Sequence, residues 1–399
     1  MSTQSMTLAS ALALLPVAAG AATSAEDPVE FYLSDQVAYE DNLFRLPDSV
    51  TDAGPLAAGT DDFVNRATAG AEGRIDFSRQ VVRLDLKVTD VRYSSNDFLD
   101  HVAGSGVLTW EWQLGSRWSG TLDARYDRAL ADFSNARFYG KDLVDTVSYS
   151  GEAAYRIGSR FRLLGGSRHT SGEHSARARR DDEFDSNSGW FGLEFRTPTD
   201  TSLRLEQRYT ATKFPQLAAL GSLNDREYDE HATVLRASHR LSVHTQLHGS
   251  YGRIEREYAR LDNGDFSGGI WRVGVDWHPR QQLQVALNAW RDLRANLDAE
   301  SDYFVSHGVS LTPTWSPTRA LALSLALIYE EQEYIGSNPG LTTSANRADR
   351  ARAAALNVSY TPMHRLRLDL NYRAEDRGSN RSIYAYDAYV AALNIRWAL

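Results

Sequence analysis

Cysteine is absent from the 399 residues, which excludes disulfides, thiol catalysis and thiolate metal sites. Its absence also suits a chain that must cross an oxidising periplasm unfolded without forming wrong disulfide pairs. Lysine is nearly absent too, because only Lys87, Lys141 and Lys213 occur among 43 basic residues. All the other basic residues are arginines, an excess that fits either a GC-rich genome or rings of arginine inside a pore.

A long hydrophobic run and a basic stripe are also missing. Beyond the N-terminal leader, no segment approaches the roughly 18 apolar residues that a membrane helix needs. The net charge is −9, and acids and bases are interspersed, so nucleic acid is not an expected partner. Two classes remain, namely a soluble protein and a protein that meets lipid through alternating strands, which a hydropathy window does not detect.

The N-terminal leader has the pattern of a secretory signal. An apolar stretch from Met6 to Ala19 is followed by a run of small residues, which is typical of a cleavage region. The preceding segment carries no Lys or Arg, and a buried N-terminal helix is the alternative interpretation. We expect residues 1–25 to be a signal peptide and residues 26–399 to form one exported domain.

Apolar and polar residues alternate along most of the chain with the period of two that is typical of β-strands. The pattern recurs in segments such as Val82–Val88 and Leu366–Tyr372. It is cleanest at the C-terminus, where one face would carry Tyr389, Ala391, Leu393, Ile395, Trp397 and Leu399. These segments predict strands with one apolar face and one polar face.

Short turns and long polar loops also alternate along the chain, which is typical of outer-membrane barrels with periplasmic turns and extracellular loops. Tight turns are predicted near Arg79, Gly115, Gly158, Thr199, Leu241, Arg280, Thr318 and Met363. Longer loops include Ser171–Asp185, Phe214–Arg226, Arg260–Ser267 and Gln332–Asp349. Eight turns and nine loops imply about eighteen strands, with sixteen as the alternative count.

The predicted fold is all-β, a transmembrane antiparallel up-and-down β-barrel in a bacterial outer membrane with both termini in the periplasm. Tyr and Trp residues near strand ends fit the two interfacial girdles of such a barrel. Unpaired backbone groups in lipid cost several kcal/mol each, so the terminal strand should pair with a first strand within Pro28 to Leu43. A soluble β-sandwich or propeller would alternate as well and is the competing fold.

Paired charges line the polar faces of the predicted strands. An eighteen-stranded barrel is too wide for side chains to fill, so its lumen should be a water channel unless loops plug it. Ion pairs that fix strand register are the simpler interpretation, and hydrogen bonds to hydroxyls and carboxylates of a glycan are the functional one. The residues expected to face the lumen and to contact a glycan are Arg83, Asp85, Lys87, Asp123, Arg125, Asp127, Arg204, Glu206, Arg208, Arg365, Arg367, Asp369 and Arg373.

Enzyme chemistry has no recognisable motif here. GxSxG, HExxH and P-loop patterns do not occur. His244 and His248 would share one strand face, but two imidazoles without a nearby carboxylate fall short of a metal site. We therefore expect no catalytic residues, no metal and no cofactor, and an envelope-modifying barrel enzyme is the least favoured hypothesis.

A short stretch after the first predicted strand carries a family resemblance. Tyr39, Glu40, Asp41, Asn42, Leu43, Phe44 and Arg45 resemble a run near the start of EpsL-type outer-membrane proteins of exosortase/PEP-CTERM exopolysaccharide gene clusters. The resemblance in plan covers the whole mature chain, in length, in barrel pattern and in an aromatic terminal strand. The chain departs from the general barrel pattern by ending on Leu399 instead of Phe or Trp.

The resemblance implies an outer-membrane pore for exopolysaccharide export. The implied partners are outer-membrane lipid and lipopolysaccharide, the exopolysaccharide chain, and a periplasmic polysaccharide export protein. A general or oligosaccharide-uptake porin is the alternative. From the residues themselves, we expect Asn42 to favour a turn and Pro47 to end strand pairing, at the edge of the seam between the first and last strands.

Overall fold

The computed structural model describes residues 28–47, 59–134, 138–216, 226–259, 265–295, 303–335 and 347–399. Eighteen antiparallel strands in these ranges form one sheet. They are β1 (Val29–Glu40), β2 (Asp62–Phe77), β3 (Gln80–Tyr93), β4 (His101–Leu114), β5 (Trp118–Leu130), β6 (Leu143–Ile157), β7 (Phe161–His174), β8 (Phe184–Arg196), β9 (Ser202–Lys213), β10 (Tyr228–Ser242), β11 (Thr245–Tyr258), β12 (Phe266–Arg280), β13 (Leu283–Ala295), β14 (Tyr303–Trp315), β15 (Leu321–Ile335), β16 (Ala348–Met363), β17 (Leu366–Ser379) and β18 (Tyr386–Ala398).

The sheet closes on itself through its first and last strands. β1 pairs with β18 from Tyr32 opposite Ala398 to Glu40 opposite Val390, and β1 pairs with β2 on its other side. Closure leaves no unpaired edge, which is the condition for a sheet that spans lipid. The predicted barrel class, the count of eighteen and the pairing of the terminal strands are therefore confirmed.

The outer face carries the apolar side chains that the alternation predicted. Leu325 and Leu327 on β15, and Leu393 and Ile395 on β18, are among the large hydrophobic residues exposed there. An apolar outer band is the surface that an outer-membrane barrel presents to lipid. Within the described ranges, no helix is long and apolar enough to cross a membrane.

All eight predicted turns lie at one end of the barrel, called here the short-turn end, where both termini of the sheet also lie. Gly115 and Gly158 occupy left-handed turn positions with φ of 61° and 63°, which glycine adopts without strain. The longer connections lie at the opposite end, called here the long-loop end. The predicted signal peptide, residues 1–25, lies outside the described residues, which begin at Pro28.

Two predicted loops include residues that the structure assigns to strands. β7 continues to His174 and β8 resumes at Phe184, inside the loop predicted from Ser171 to Asp185. β15 likewise extends to Ile335, past the predicted loop start at Gln332. The backbone ladder continues there although the apolar–polar alternation does not, because strands that extend beyond the apolar band lose the pattern that marks them in sequence.

Candidate functional site

The inner face of the barrel carries all but one of the residues expected there. Strands β3, β5, β9 and β17 direct the predicted charged residues away from the apolar outer rows. These residues are Arg83, Asp85, Lys87, Asp123, Arg125, Asp127, Arg204, Glu206, Arg208, Arg367, Asp369 and Arg373. Arg365 was predicted wrongly, because it lies exposed in the two-residue turn that precedes β17. Its carbonyl accepts the N–H of Ala398 at 2.8 Å.

A buried carboxylate organises the wall formed by β9 and its neighbours. Glu206 is completely buried and accepts hydrogen bonds from Arg204 Nη2 at 2.5 Å, Arg208 Nη2 at 2.8 Å and Arg236 Nη1 at 2.9 Å. Arg204 also donates through Nη2 to Glu152 Oε2 at 2.7 Å. Bidentate guanidinium–carboxylate contacts of this kind fix geometry as well as charge. The cluster therefore forms a rigid patch on the lumen wall.

Trp190 on β8 belongs to the same patch, and sequence reasoning missed it. Its Nε1–H donates to Glu152 Oε2 at 2.9 Å, and the Arg208 guanidinium lies 5.0 Å from its ring centroid. The ring lies against Gly166 of β7, where a Cβ atom would approach it to 2.5 Å. The apolar outer residues Phe191 and Leu193 give the parity that places Trp190 inward, so the signal was available in the sequence.

Positive charge exceeds negative charge on this side of the lumen. Arg168, Arg208 and Arg236 border two cavities, of about 670 Å³ toward the long-loop end and about 230 Å³ beside Glu206. Nε of Arg168 is buried and has no hydrogen-bond partner among the residues that the structure describes. With Arg204, four guanidinium groups line the smaller cavity together with three carboxylates, those of Asp123, Glu152 and Glu206. We call Arg168, Arg204, Arg208 and Arg236 the arginine wall.

Hydroxyl pairs continue the polar surface along β6 to β9. Each pair joins two neighbouring strands on the inner face, and each hydroxyl can both donate and accept. The pairs are Ser148 with Thr170 at 3.0 Å, Ser186 with Thr212 at 2.9 Å, and Ser188 with Thr210 at 2.8 Å. A solute that passes the arginine wall therefore also meets a surface of hydroxyl groups.

The wall at β17 is balanced by comparison. Arg367 Nε donates to Asp369 at 2.9 Å, and Arg373 Nη2 donates to Glu375 at 2.9 Å. Each of these arginines is thus paired with an acid two residues further along its own strand. Pairing of this kind matches the simpler prediction, in which ion pairs on a solvated wall fix the strand register. Since each arginine here has its own acid, the excess of positive charge lies at the arginine wall and not at β17.

The stretch Asp41–Pro47, which follows β1, folds into the lumen, whereas Tyr39 is exposed on the outer face of β1. Glu40 ends β1 facing inward, and Leu43, Phe44 and Leu46 are all buried. The predicted turn at the edge of the seam is present at Asp41 and Asn42, which bond to β18, whereas the inward course of the residues after it is not predicted. Side chains of a loop have no alternation to reveal their direction, so the inward fold has no local pattern in the sequence.

Asn42 supplies the turn that the sequence predicted. Its Oδ1 accepts the N–H of Leu46 at 2.9 Å, and its Nδ2 donates to the carbonyls of Leu46 and Asp387, each at 2.8 Å. Asp41 Oδ1 accepts the N–H of Tyr389 at 2.5 Å. These bonds tie the segment to β18. Pairing of β1 with β18 ends at Glu40, before Pro47 is reached.

Arg45 holds the same segment from its other side. It adopts a left-handed φ of 54°, and its Nε lies 3.8 Å from Glu375 Oε2 on β17. Its Nη2 lies 4.0 Å from Glu40 Oε2. Burial alone would lower the pKa of Arg45, but the carboxylates of Glu375 and Glu40 hold that pKa above its ordinary value. The side chain is therefore a permanent cation between two acids.

A second segment reaches into the lumen after β5. The ring of Phe133 lies 5.1 Å from that of Phe44, and the carbonyl of Ser134 accepts Arg377 Nη1 of β17 at 2.6 Å. We call Asp41–Pro47 and Ala131–Ser134 together the lumen filling. It joins β1, β5 and β17 across the interior at the long-loop end.

Asp142 anchors the connection between β7 and β8. It is almost fully buried and accepts His174 Nδ1–H at 2.7 Å and the N–H of Ala176 at 3.0 Å. Burial alone would raise the pKa of Asp142, but these hydrogen bonds and the charge of Arg179 lower it below its usual range. The carboxylate thus holds the short 3₁₀ helix Arg177–Asp182 against the barrel.

The histidine pair considered from the sequence does not converge. His244 lies in the turn before β11, whereas His248 faces inward with Nδ1 3.5 Å from Asp276 Oδ2. Its Nε2 lies 3.3 Å from Asn288 Oδ1. Among the residues that the structure describes, no three His, Cys, Asp or Glu side chains group closely enough to hold a metal ion.

Comparison with known proteins agrees with this geometry at the level of fold. Residues 221–399 match the family model described as "Putative beta-barrel porin 2". Pseudomonas aeruginosa OccK2 (OpdF) in complex with glucuronate is similar in structure, with a TM-score of 0.51, 10% identity, and coverage of 93% of this chain and 98% of that chain. A BenF-like porin from Pseudomonas fluorescens Pf-5 has a TM-score of 0.51 and 10% identity, covering 94% and 99%. No curated protein matches the sequence. The chain has a porin-like β-barrel fold.

Proposed function

We propose that this chain is a passive porin that favours small carboxylate solutes, with sugar acids of the uronate type as the substrate class. The arginine wall is the observation that carries the proposal, because its four guanidinium groups outnumber the three carboxylates of the same cavity, those of Asp123, Glu152 and Glu206. Planar guanidinium forks suit carboxylates, and transport needs binding that is favourable for entry but weak enough for release. No covalent chemistry is required.

Two further features support a sugar acid over a simple anion. The hydroxyl pairs on β6 to β9 can exchange hydrogen bonds with sugar hydroxyls beside the arginine wall. OccK2, which shares the fold, was solved in complex with glucuronate. We propose that the barrel lies in a bacterial outer membrane, because it has an apolar outer band and a predicted secretory leader. Its long loops would then be outside and its short turns and termini in the periplasm, as in other outer-membrane barrels.

Uptake into proteoliposomes tests this proposal. Liposome swelling should be faster with glucuronate than with glucose for the wild-type barrel. Arg168→Gln should reduce that preference, since it removes a guanidinium group that borders both the 670 Å³ cavity and the 230 Å³ cavity. Arg253→Gln is the matched control, because Arg253 is exposed at the outer face of β11 and its loss changes the net charge equally. Equal effects of the two substitutions, or faster swelling with glucose, would contradict the proposal.

Export of an exopolysaccharide is the second candidate function. The resemblance of Tyr39–Arg45 to the EpsL-type run favours it, and so does a lumen lined with mixed Arg and acidic residues. The candidate partners are the exopolysaccharide, lipopolysaccharide and a periplasmic polysaccharide export protein. Deletion of the gene should then abolish surface polysaccharide while synthesis continues. Unchanged surface polysaccharide in the deletion strain would remove this candidate and leave the porin.

A further inference from the structure

We infer that the lumen filling confines solutes to the side of the barrel that carries the arginine wall, and that Phe44 is a specificity-determining residue. The inference deepens the proposed porin function and rests on it for the class of solute. That the two segments occupy the lumen follows from their packing and hydrogen bonds and does not depend on the class of solute. The effect of the filling on channel size can therefore be measured separately from selectivity.

The centre of the filling is an aromatic cluster. Phe44 is completely buried, and its ring lies 5.1 Å from Phe133, 6.2 Å from Tyr139 and 6.4 Å from Phe98. Aromatic pairs at these separations add stabilisation beyond the burial of their area. A loop segment packed in this way occupies a fixed place in the lumen.

The barrel wall beneath the filling is apolar, unlike the rest of the nearby inner face. Val64 on β2, with Val91 and Tyr93 on β3, belongs to the same buried cluster as Phe44. In an open, water-filled lumen these inward side chains would be exposed to water, which is unfavourable. Their apolar character matches a wall that is permanently covered by the segment Asp41–Pro47.

Polar contacts fix both ends of that segment to the strands beside the seam. Asn42 and Asp41 bind the backbone of Asp387 and Tyr389, and Arg45 lies between Glu40 and Glu375. Together these contacts favour one arrangement of the segment, because an alternative position would leave the polar groups without these partners.

The filling separates two spaces in the lumen. A cavity of about 380 Å³ lies on the side of β1 to β5 and includes Lys87 and Asp127 in its lining. The cavity of about 670 Å³ beside the arginine wall lies on the other side. Ala131 and Asp132 border both cavities, so the second segment of the filling stands between them. A solute entering the larger cavity is thereby brought to Arg168, Arg208 and Arg236.

Single-channel recording of a Phe44→Ala variant tests the inference. Because pore width sets conduction, opening this side should raise the conductance roughly twofold and lower the anion preference, since ions then bypass the arginine wall. Phe63→Ala is the matched control, because the ring of Phe63 is exposed on the outer face of the adjacent strand β2. That control should change neither quantity.

The results distinguish failure of the lumen-filling inference from failure of the proposed porin function. Wild-type conductance and selectivity in Phe44→Ala would overturn the inference even if the wild-type barrel prefers anions. Raised conductance in a barrel that never preferred anions would support the filling and overturn the porin proposal instead. Should Phe44→Ala fail to fold, as judged by its gel mobility with and without heating, Asn42→Ala provides the same test. It removes three anchoring hydrogen bonds while keeping the aromatic cluster intact.

Discussion

Glu206 should be the most costly carboxylate to neutralise in this part of the lumen wall. The substitution Glu206→Gln keeps the side-chain shape and removes the charge that three arginines share. Those arginines contact its two oxygens through five hydrogen bonds between 2.5 and 3.2 Å. Without the carboxylate, the three guanidinium groups repel one another in a partly buried site.

The magnitude follows from how deeply the partners are buried. Removing one member of a fully buried ion pair costs about 3–5 kcal/mol. Arg204, Arg208 and Arg236 keep side-chain exposures of 23%, 25% and 28%, so water can stabilise part of the released charge. We therefore expect Glu206→Gln to lower the free energy of unfolding by about 2–3 kcal/mol, below the range for a fully buried pair.

Urea titration of the folded barrel, followed by tryptophan fluorescence, measures this loss. Glu111→Gln is the matched control, since Glu111 pairs with Arg83 where the two side chains are 46% and 41% exposed. An exposed pair is worth about 1 kcal/mol or less. A loss of stability in Glu206→Gln no larger than that in Glu111→Gln would refute the role assigned to the Glu206 carboxylate. As a second readout, Glu206→Gln should shift channel selectivity further toward anions.

Three other substitutions test separate parts of the structure. Asp142→Asn should lower the free energy of unfolding by about 1–2 kcal/mol at neutral pH, because a buried hydrogen-bond acceptor is weakened. The pKa of Asp142 is depressed on folding, so its contribution is present above the ordinary carboxyl value of ~3.9 and is lost as the pH falls through the lower folded value. Unfolding curves that differ equally at neutral and strongly acidic pH would contradict this. Gly166→Ala should displace Trp190 and shift its fluorescence, whereas an unchanged spectrum would show that the ring does not rest on Gly166. Asp35 is exposed on the outer face beside Asn65, so Asp35→Leu should stabilise the barrel in lipid by about 1 kcal/mol, and a loss of stability would contradict lipid contact at that position.

The barrel could be predicted from the sequence because its outer face obeys one repeated constraint. An outer band that faces lipid is mostly apolar, and every second residue of a strand lies on that face. A row such as Leu366–Tyr372 therefore indicates both that the segment is a strand and which of its residues face outward. Closure followed from the cost of unpaired backbone in lipid, which required β1 to meet β18. The inward direction of Arg204, Glu206 and Arg208 followed from the same parity.

The contacts made inside the lumen could not be predicted in the same way. Arg204 on β9 reaches Glu152 on β6, three strands away, and that reach depends on the curvature of the wall rather than on alternation. Phe44 lies in a loop, where no period exists to assign a side chain to one face. The one available signal was the inward parity of Val64 and Val91, which are apolar where a water-filled lumen would favour polar residues.

The reversal potential of the wild-type channel across a KCl gradient tests the central claim most directly. The measurement should be made at low ionic strength, where the charges of the arginine wall are least screened. Our account predicts a reversal potential of the sign that reports preferential passage of chloride, and a preference that weakens as the salt concentration rises. A channel that prefers potassium, or one with the same selectivity at every salt concentration, would contradict the claim that the arginine wall governs what passes through this barrel.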